Sequence, residues 1–250
     1  MSVRRRIAIV LPTYNERANI ERLVTRLARN DDIARIIVAD DQSPDGTGAI
    51  ADTLAGRFAG RLHVLHRSGT RGYGMACREA MGLALQAGVD LIFQMDADGS
   101  HDPSFIPTMV AAAEEADLTI GSRYVPGGSV INWPWRRRAL SRFANFYVRA
   151  LLGLPARDCT SGFRCWRPSA LAAALRYRSR SDGYAFLVEM LWAAVSAGAS
   201  VAEVPIAFVE REHGVSKMSH RVIAESAIVP WRLRRQPAAS SLAPHESSIT

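Results

Sequence analysis

Along the first half of the chain, short apolar runs alternate with segments whose apolar residues recur at helical spacing. Ile7–Leu11, Ile33–Ala39, Leu62–Leu65, Leu91–Met95 and Leu118–Ile120 have the length and content of buried strands. Between the first two, Ile20, Leu23, Val24 and Leu27 fall at i, i+3, i+4 and i+7, with Asn15 as the expected N-cap of that helix. Ala49–Phe58, Met75–Ala87 and Pro103–Ala116 predict further helices. Strands alternating with helices predict an α/β fold, a mainly parallel sheet covered by helices. Ligands of such sheets bind beyond the carboxyl ends of the strands. The acidic clusters fall there: Asp40-Asp41 closes the second predicted strand and Asp96-Ala97-Asp98 the fourth.

The second half is less regular. Pro126-Gly127-Gly128 leads into a basic helix, Arg136–Leu152. Gly183–Gly198 reads as an apolar helix, Val201–Ala207 as a strand and Ser219–Leu233 as a moderately amphipathic helix. From Gln236 to Thr250 the text is Ala, Ser, Pro and His without periodicity, which predicts a disordered tail.

Composition narrows the class. With 250 residues, 48% apolar and 22% charged, the chain can bury a sizeable core, which excludes a disordered, collagenous or disulfide-scaffold protein. Cys77, Cys159 and Cys165 form no C-x-x-C pair, so a reduced, cytosolic setting is expected, with Cys159 and Cys165 as small buried residues. No apolar run approaches the roughly 18 residues that span a bilayer. The stretch after Arg4-Arg5-Arg6 is too short for a signal-peptide core and stops at Pro12.

The formal charge of +7 is unevenly placed: residues 1–122 hold 13 basic and 16 acidic side chains, residues 123–250 hold 18 and 8. A basic half points to an anionic polymer or an anionic membrane surface as partner. A nucleic-acid partner is not expected. The chain has no helix-turn-helix, zinc, RNP or OB signature, and its carboxylates stand where an anionic ligand would need a cation.

Three motifs carry chemistry. Pro12-Thr13-Tyr14-Asn15-Glu16 follows the first strand with no glycine, unlike the G-x-G-x-x-G turn of nicotinamide and flavin enzymes. It reads either as an aromatic and a carboxylate for a nucleoside or as a plain strand–helix turn. Asp40-Asp41-Gln42-Ser43-Pro44-Asp45-Gly46-Thr47 pairs two carboxylates at a strand end, costly to bury unless they accept hydrogen bonds or face a cation. One can accept from a base or ribose while the other anchors the turn; the alternative is a solvated Asx turn. In Asp96-Ala97-Asp98 two aspartates can face one divalent cation, and hard oxygen ligands suit Mg²⁺ or Mn²⁺ that also takes oxygens from a diphosphate.

Taken in order, PTYNE, DDQSPDGT, MDADGSHDP, GSRYVPGG, DCTSGFR and EVPIAFVEREHGVSKMS resemble the polyprenyl-phosphate (dolichol-phosphate) mannose synthases of glycosyltransferase family 2, from about Ile7 to about Ser219. The resemblance implies a GT-A-type catalytic domain over residues 1–219, followed by an amphipathic basic helix over 220–235 and the tail over 236–250. It implies that Pro12, Tyr14, Glu16, Ala39 and Asp41 contact guanosine. Asp96, Ala97 and Asp98 would line the metal and diphosphate, with the two aspartates as ligands. Arg123 would face phosphate. Arg211 and Lys217, the latter the only lysine in the chain, would close over donor or acceptor phosphate. The chain departs from the family pattern at Gln42, where glycine or aspartate is usual, and at Ser100, where some relatives offer glutamine to the metal.

The implied reaction is inverting transfer of mannose from GDP-mannose to a polyprenyl phosphate, of the dolichyl-phosphate β-D-mannosyltransferase type. A family 2 transferase moving glucose or another sugar from a UDP-sugar is the alternative. A phosphate monoester is largely dianionic near neutral pH, since its second pKa is about 6, so it attacks without a base to deprotonate it. That fits the absence of an obvious base motif. Trp133-Pro134-Trp135-Arg136-Arg137-Arg138 and Pro230-Trp231-Arg232-Leu233-Arg234-Arg235 combine tryptophan with arginine. They read as peripheral anchors on the cytoplasmic face of an anionic membrane, or as solvated basic helix faces. The sequence identifies no membrane-anchoring partner protein.

Overall fold

In a computed structural model, residues 5–179, 181, 183–210 and 220–236 are described. The strands are β1 (Ile7–Thr13), β2 (Ile33–Asp40), β3 (Leu62–His66), β4 (Leu91–Gln94), β5 (Leu118–Ser122), β6 (Ser129–Ile131), β7 (Arg164–Trp166), β8 (Val201–Pro205) and β9 (Ala207–Val209). The helices are α1 (Ile20–Leu27), α2 (Thr47–Arg57), α3 (Tyr73–Gln86), α4 (Ile106–Ala112), α5 (Trp135–Leu152), α6 (Pro168–Arg176), α7 (Gly183–Ser196) and α8 (His220–Arg234). Seven strands form one sheet in the order β3-β2-β1-β4-β7-β5-β8; β6 and β9 pair in a separate parallel ribbon.

The unbroken apolar runs are explained by burial on both faces. Along β1, Ala8 and Val10 enter one core with α3 and α7, while Ile7, Ile9 and Leu11 enter the opposite core with α1 and α2. Every pairing in the large sheet is parallel except those of β7, which runs antiparallel between β4 and β5.

Several sequence expectations need correcting. Asn15 does not cap α1: the helix starts at Ile20 behind Asn19, and Asn15 is left-handed at φ 57°. The expected strand Val201–Ala207 breaks at Ile206. Its N–H bonds Ser122 O at 3.0 Å and its carbonyl accepts Ser129 N at 3.0 Å, so the chain leaves β8 and starts the ribbon. Pro103–Ala116 divides into a 3₁₀ turn, Pro103–Phe105, and α4, with Pro107 tolerated in the first turn where its missing N–H is no loss. The elements β6, β7 and α6 had no expectation. The expected tail lies outside the described residues from 237 onward.

Helix α5 is 18 residues long yet buries only Asn145 and Val148, and it packs beside α8, where Tyr147 Oη donates to Ala227 O at 2.9 Å. No helix among the described residues is long and apolar enough to cross a membrane.

Candidate active site

The carboxyl ends of β1, β2, β4 and β5 open onto a cavity of about 550 Å³. Pro12, Tyr14, Glu16, Asp41, Asp96, Ala97, Asp98 and Arg123 all line it, so the structure brings together eight of the eleven residues singled out in the sequence. Ala39 does not join them. It is fully buried in the sheet, opposite Pro12, and its side chain packs into the core. Arg211 and Lys217 lie outside the described residues.

The turn after β1 is pinned from the next strand end. Asn15 N donates to Ser43 Oγ at 3.0 Å, and Glu16 N donates to Thr47 Oγ1 at 2.9 Å. Tyr14 Oη accepts from Arg71 Nη1 at 2.8 Å, and the same guanidinium stands 5.3 Å from the Tyr14 ring centroid. The adjacent aspartates divide their work. Asp40 accepts from Ser43 N at 3.3 Å within its turn and does not line the cavity. Asp41 pairs with the buried guanidinium of Arg67 and accepts from Gly72 N at 2.8 Å. Gln42 sits at φ 61°, where glycine is unstrained, and its Nε2 donates to Gly69 O at 2.8 Å.

At the end of β4, Asp98 Oδ1 accepts from Ser100 N at 3.0 Å and from Ser100 Oγ at 2.6 Å, so the serine hydroxyl is turned onto the aspartate. Asp96 Oδ1 accepts from Tyr73 Oη at 3.1 Å, and that oxygen in turn accepts from Gln94 Nε2 at 3.0 Å. Burial, reinforced by the charge of Asp96, pushes the Tyr73 hydroxyl well above its ordinary pKa and keeps it a donor. A side chain at Gly162 would meet Tyr73 Oη at 3.0 Å and Asp96 Oδ1 at 3.4 Å, so only glycine leaves the carboxylate reachable from that side.

His101 was missed in the sequence. Its Nδ1 accepts the backbone N–H of Asp96 at 2.9 Å, which fixes the neutral ring as the Nε2–H tautomer. Burial holds its pKa below the usual histidine value despite nearby Asp96 and Asp98. The ring stacks on Phe163 at 5.1 Å and meets Phe208 edge-on at 5.7 Å.

Arginines line the same cavity. Arg123 Nε and Nη2 each bond Asp158 at 2.7 Å, and Nη2 also bonds Thr160 Oγ1 at 2.9 Å; among the described residues Nη1 makes no hydrogen bond. The guanidinium lies among Tyr124, Trp133 and Phe208, with ring centroids 5.2, 5.7 and 5.3 Å away. Burial opposes the charge, but the attraction and hydrogen bonds of Asp158 outweigh it and raise the pKa above the ordinary arginine value. Trp133 and Arg137 line the cavity too, which corrects the reading of 133–138 as one exposed run. Trp133 is buried, and Arg137 stacks on it at 3.9 Å while pairing with Glu210. Trp135, Arg136 and Arg138 are the parts of that run that remain exposed with Pro134.

The donor set suits a hard divalent cation. Two carboxylates face one cavity wide enough for a phosphate-bearing ligand, and ions such as Mg²⁺ are commonly held by one or two carboxylates plus substrate phosphates. Among the described residues no group of three or more His, Cys, Asp or Glu makes a closed protein cage.

A helix-covered, mostly parallel sheet with a paired-carboxylate cavity at its strand ends defines a GT-A-type transferase fold. The description of Glycosyl transferase family 2 matches residues 8–174, and the chain belongs to that family. It is 45% identical over 232 residues, 92% of this chain and 88% of the relative, to polyprenol monophosphomannose synthase of Mycolicibacterium smegmatis. It is 41% identical over 223 residues, 89% of this chain and 91% of the relative, to undecaprenyl-phosphate mannosyltransferase of Micrococcus luteus. Among solved structures, glucosyl-3-phosphoglycerate synthase from Mycobacterium tuberculosis, in complex with Mn²⁺, UDP-glucose and phosphoglyceric acid, shares the fold. Its TM-score is 0.63 at 21% identity, covering 91% of this chain and 80% of that one.

Proposed function

We propose that this protein transfers mannose from GDP-mannose to a polyprenyl (dolichyl-type) phosphate, with inversion at the anomeric carbon. The observation that carries the reading is that one cavity is lined both by Asp96 and Asp98 and by Arg123 and Arg137. Such a transfer needs a place for a leaving diphosphate and a separate cationic place for an incoming phosphate. The names of the two curated relatives, both mannose transferases of polyprenyl phosphates, favour these substrates.

Pro12, Tyr14, Glu16 and Asp41 hold the guanosine, with Ala39 backing them from the core, and Asp96, Ala97 and Asp98 face the diphosphate. Asp96 and Asp98 would hold Mg²⁺ or Mn²⁺, which would neutralise charge on the departing nucleotide diphosphate. Arg123, fixed by Asp158, offers Nη1 to the acceptor phosphate, and Arg137 adds a second guanidinium. Arg211 and Lys217 complete the phosphate-binding set on the strength of the family motif. One acceptor oxygen forms the new bond to the anomeric carbon as the bond to the diphosphate breaks, and the electron pair leaves with GDP. The dianionic acceptor carries no proton to remove, so no base acts on it. Charge develops on the sugar as in other glycosyl chemistry, and a single displacement from the opposite face turns an α-linked donor into a β-linked product.

The protein works as a peripheral enzyme on the cytoplasmic face of the membrane. Supporting this, Trp135, Phe143 and Phe146 on α5 and Ile228 and Trp231 on α8 are exposed among arginines, the composition of an interfacial surface.

The test is a panel of nucleotide sugars with Mg²⁺ or Mn²⁺ and a short polyprenyl phosphate, read by mass spectrometry. Polyprenyl-phosphate mannose from GDP-mannose is expected; product from UDP-glucose with none from GDP-mannose overturns the donor assignment.

A further inference from the structure

A second, smaller cavity of about 270 Å³ is lined by Tyr124, Arg142, Asn145, Phe146, Arg149 and Arg157. Four of these come from α5 at i, i+3, i+4 and i+7, one edge of the helix; the other two come from the strands' connecting loops. Asn145 is fully committed to structure. Its Nδ2 donates to Ser141 O at 2.9 Å and Thr160 Oγ1 at 3.0 Å, and its Oδ1 accepts from Thr160 N at 3.2 Å. Tyr124 is likewise set, its hydroxyl donating to Ser141 Oγ at 2.6 Å while its ring lies 5.9 Å from the Arg142 guanidinium. The three arginines are different. Among the described residues none of their guanidinium groups makes an ion pair; the nearby carboxylate of Glu203 is taken up by the backbone N–H groups of Arg157 at 2.7 Å and Asp158 at 2.9 Å, so three like charges converge on one concavity without a paired carboxylate.

Uncompensated guanidinium groups around a pocket are the chemistry of phosphate recognition, because each presents a planar fork of donors. What surrounds the pocket selects the kind of phosphate. Phe146 is 68% exposed at its rim, and Phe143, Leu140 and Trp135 continue an apolar face along the same helix at 65%, 55% and 69% exposure. A basic edge beside an exposed apolar face is the pattern of a helix lying in a bilayer surface.

We propose that this pocket binds the phosphodiester headgroup of an anionic phospholipid, with the apolar residues of α5 dipping into the acyl region. Tyr124 and Thr160 form the wall shared with Arg123. A lipid held here sets the membrane surface beside Arg123, through Thr160, which bonds both Arg123 and Asn145. The inference rests on the reading that the enzyme works at a membrane, and adds the group that recognises it.

The test uses the full chain and vesicles of phosphatidylcholine alone or with phosphatidylglycerol, read by flotation. Arg142→Lys/Arg149→Lys keeps the charge but removes the fork geometry, and Arg136→Lys/Arg138→Lys makes the same change elsewhere on the helix. The first pair is expected to lose about tenfold in affinity for phosphatidylglycerol vesicles and the second pair to bind like wild type. Equal binding by both pairs and wild type overturns the pocket and leaves only general surface charge. Saturable binding of free glycerol phosphate, lost in the first pair and unmatched by any vesicle effect, assigns the pocket to a soluble anion and also overturns the proposal. Wild type that floats with neither vesicle removes the peripheral reading and the pocket together. Mannose transfer by wild type in detergent reports separately on the catalytic reading.

Discussion

Asp158 clasps Arg123 through both carboxylate oxygens, at 2.7 Å to Nε and 2.7 Å to Nη2, and takes its backbone N–H at 3.0 Å. Both side chains are buried, so neither charge has water to fall back on. Removing one partner of such a pair leaves an uncompensated buried charge and costs about 3–5 kcal/mol. Asp158→Leu is therefore expected to destabilise the protein by about that amount in urea unfolding. The double variant Arg123→Met/Asp158→Leu is expected to be more stable than Asp158→Leu alone; a double variant no better than the single removes the pair from the account of stability.

The carboxylates after β4 are the second target. Asp96→Asn and Asp98→Asn keep shape while removing charge, and each is expected to lower transfer by at least about a hundredfold, the scale of losing one electrostatic contact to the transition state. Chelation with EDTA is expected to abolish turnover and added Mn²⁺ or Mg²⁺ to restore it. Mn²⁺ binding followed by electron paramagnetic resonance should weaken in both variants. Unchanged Mn²⁺ affinity would reassign the aspartates to structure.

His101 allows a finer dissection. His101→Phe preserves the stack on Phe163 but deprives the Asp96 N–H of its acceptor, at a cost of about 1–3 kcal/mol for a buried donor left unmade. His101→Asn offers an acceptor but no ring. Paired urea titrations and kcat measurements should show Phe affecting the placement of Asp96, with lower kcat, and Asn mainly lowering stability through the lost stack.

The thiols give a prediction with a definite sign. Burial pushes Cys159 up to about 12, and Cys165 is raised for the same reason. Between the unfolded and folded values both are therefore neutral in the folded protein while an unfolded thiol is ionised. Their contribution to stability is fully present below the unfolded pKa, near 9, and is lost as pH rises through the folded value, because there the unfolded chain binds fewer protons. Urea midpoints are expected to fall between pH 9 and pH 11, less steeply in Cys159→Ala/Cys165→Ala. Ellman's reagent should find no reactive thiol in the folded protein and three after denaturation.

How much of this was legible in the sequence depended on whether the signal was local. The runs that became β1 and β2 were readable because both faces are buried, leaving nearly every position apolar. Asp41, Asp96 and Asp98 were readable because strand ends in this architecture point at the ligand. β7 was not. Three residues with Arg164 at the head carry no period, and that buried arginine is held by Ser161 O and Cys159 O, which accept from it at 2.9 and 3.0 Å, contacts made by the preceding turn. Trp133 and Arg137 flank the start of α5 in a run that looks uniformly interfacial. Their inward turn is set by Phe208 and Glu210, more than seventy residues away. His101 sat inside a motif already noted, but its role depends on the tight turn through Gly99, at φ 81°, that carries Nδ1 back to Asp96.

The insertion of β7 beside β5 has a consequence for how such a protein diversifies. Ile120 lies opposite Arg164 in the register, so the chain departs from the sheet and returns to it at the same place. Arg123 and Asp158 then clamp the two limbs just above that point. The segment from 124 to 157 is thus a loop closed at its base and tied back by the β6–β9 ribbon and by Trp133 and Arg137 in the cavity wall, which leaves the exposed face of α5 as its free surface. Closing a longer loop adds only about 0.6 kcal/mol for each doubling of its length. That exposed face can change in length and composition while the register of the sheet and the carboxylates at its edge stay as they are.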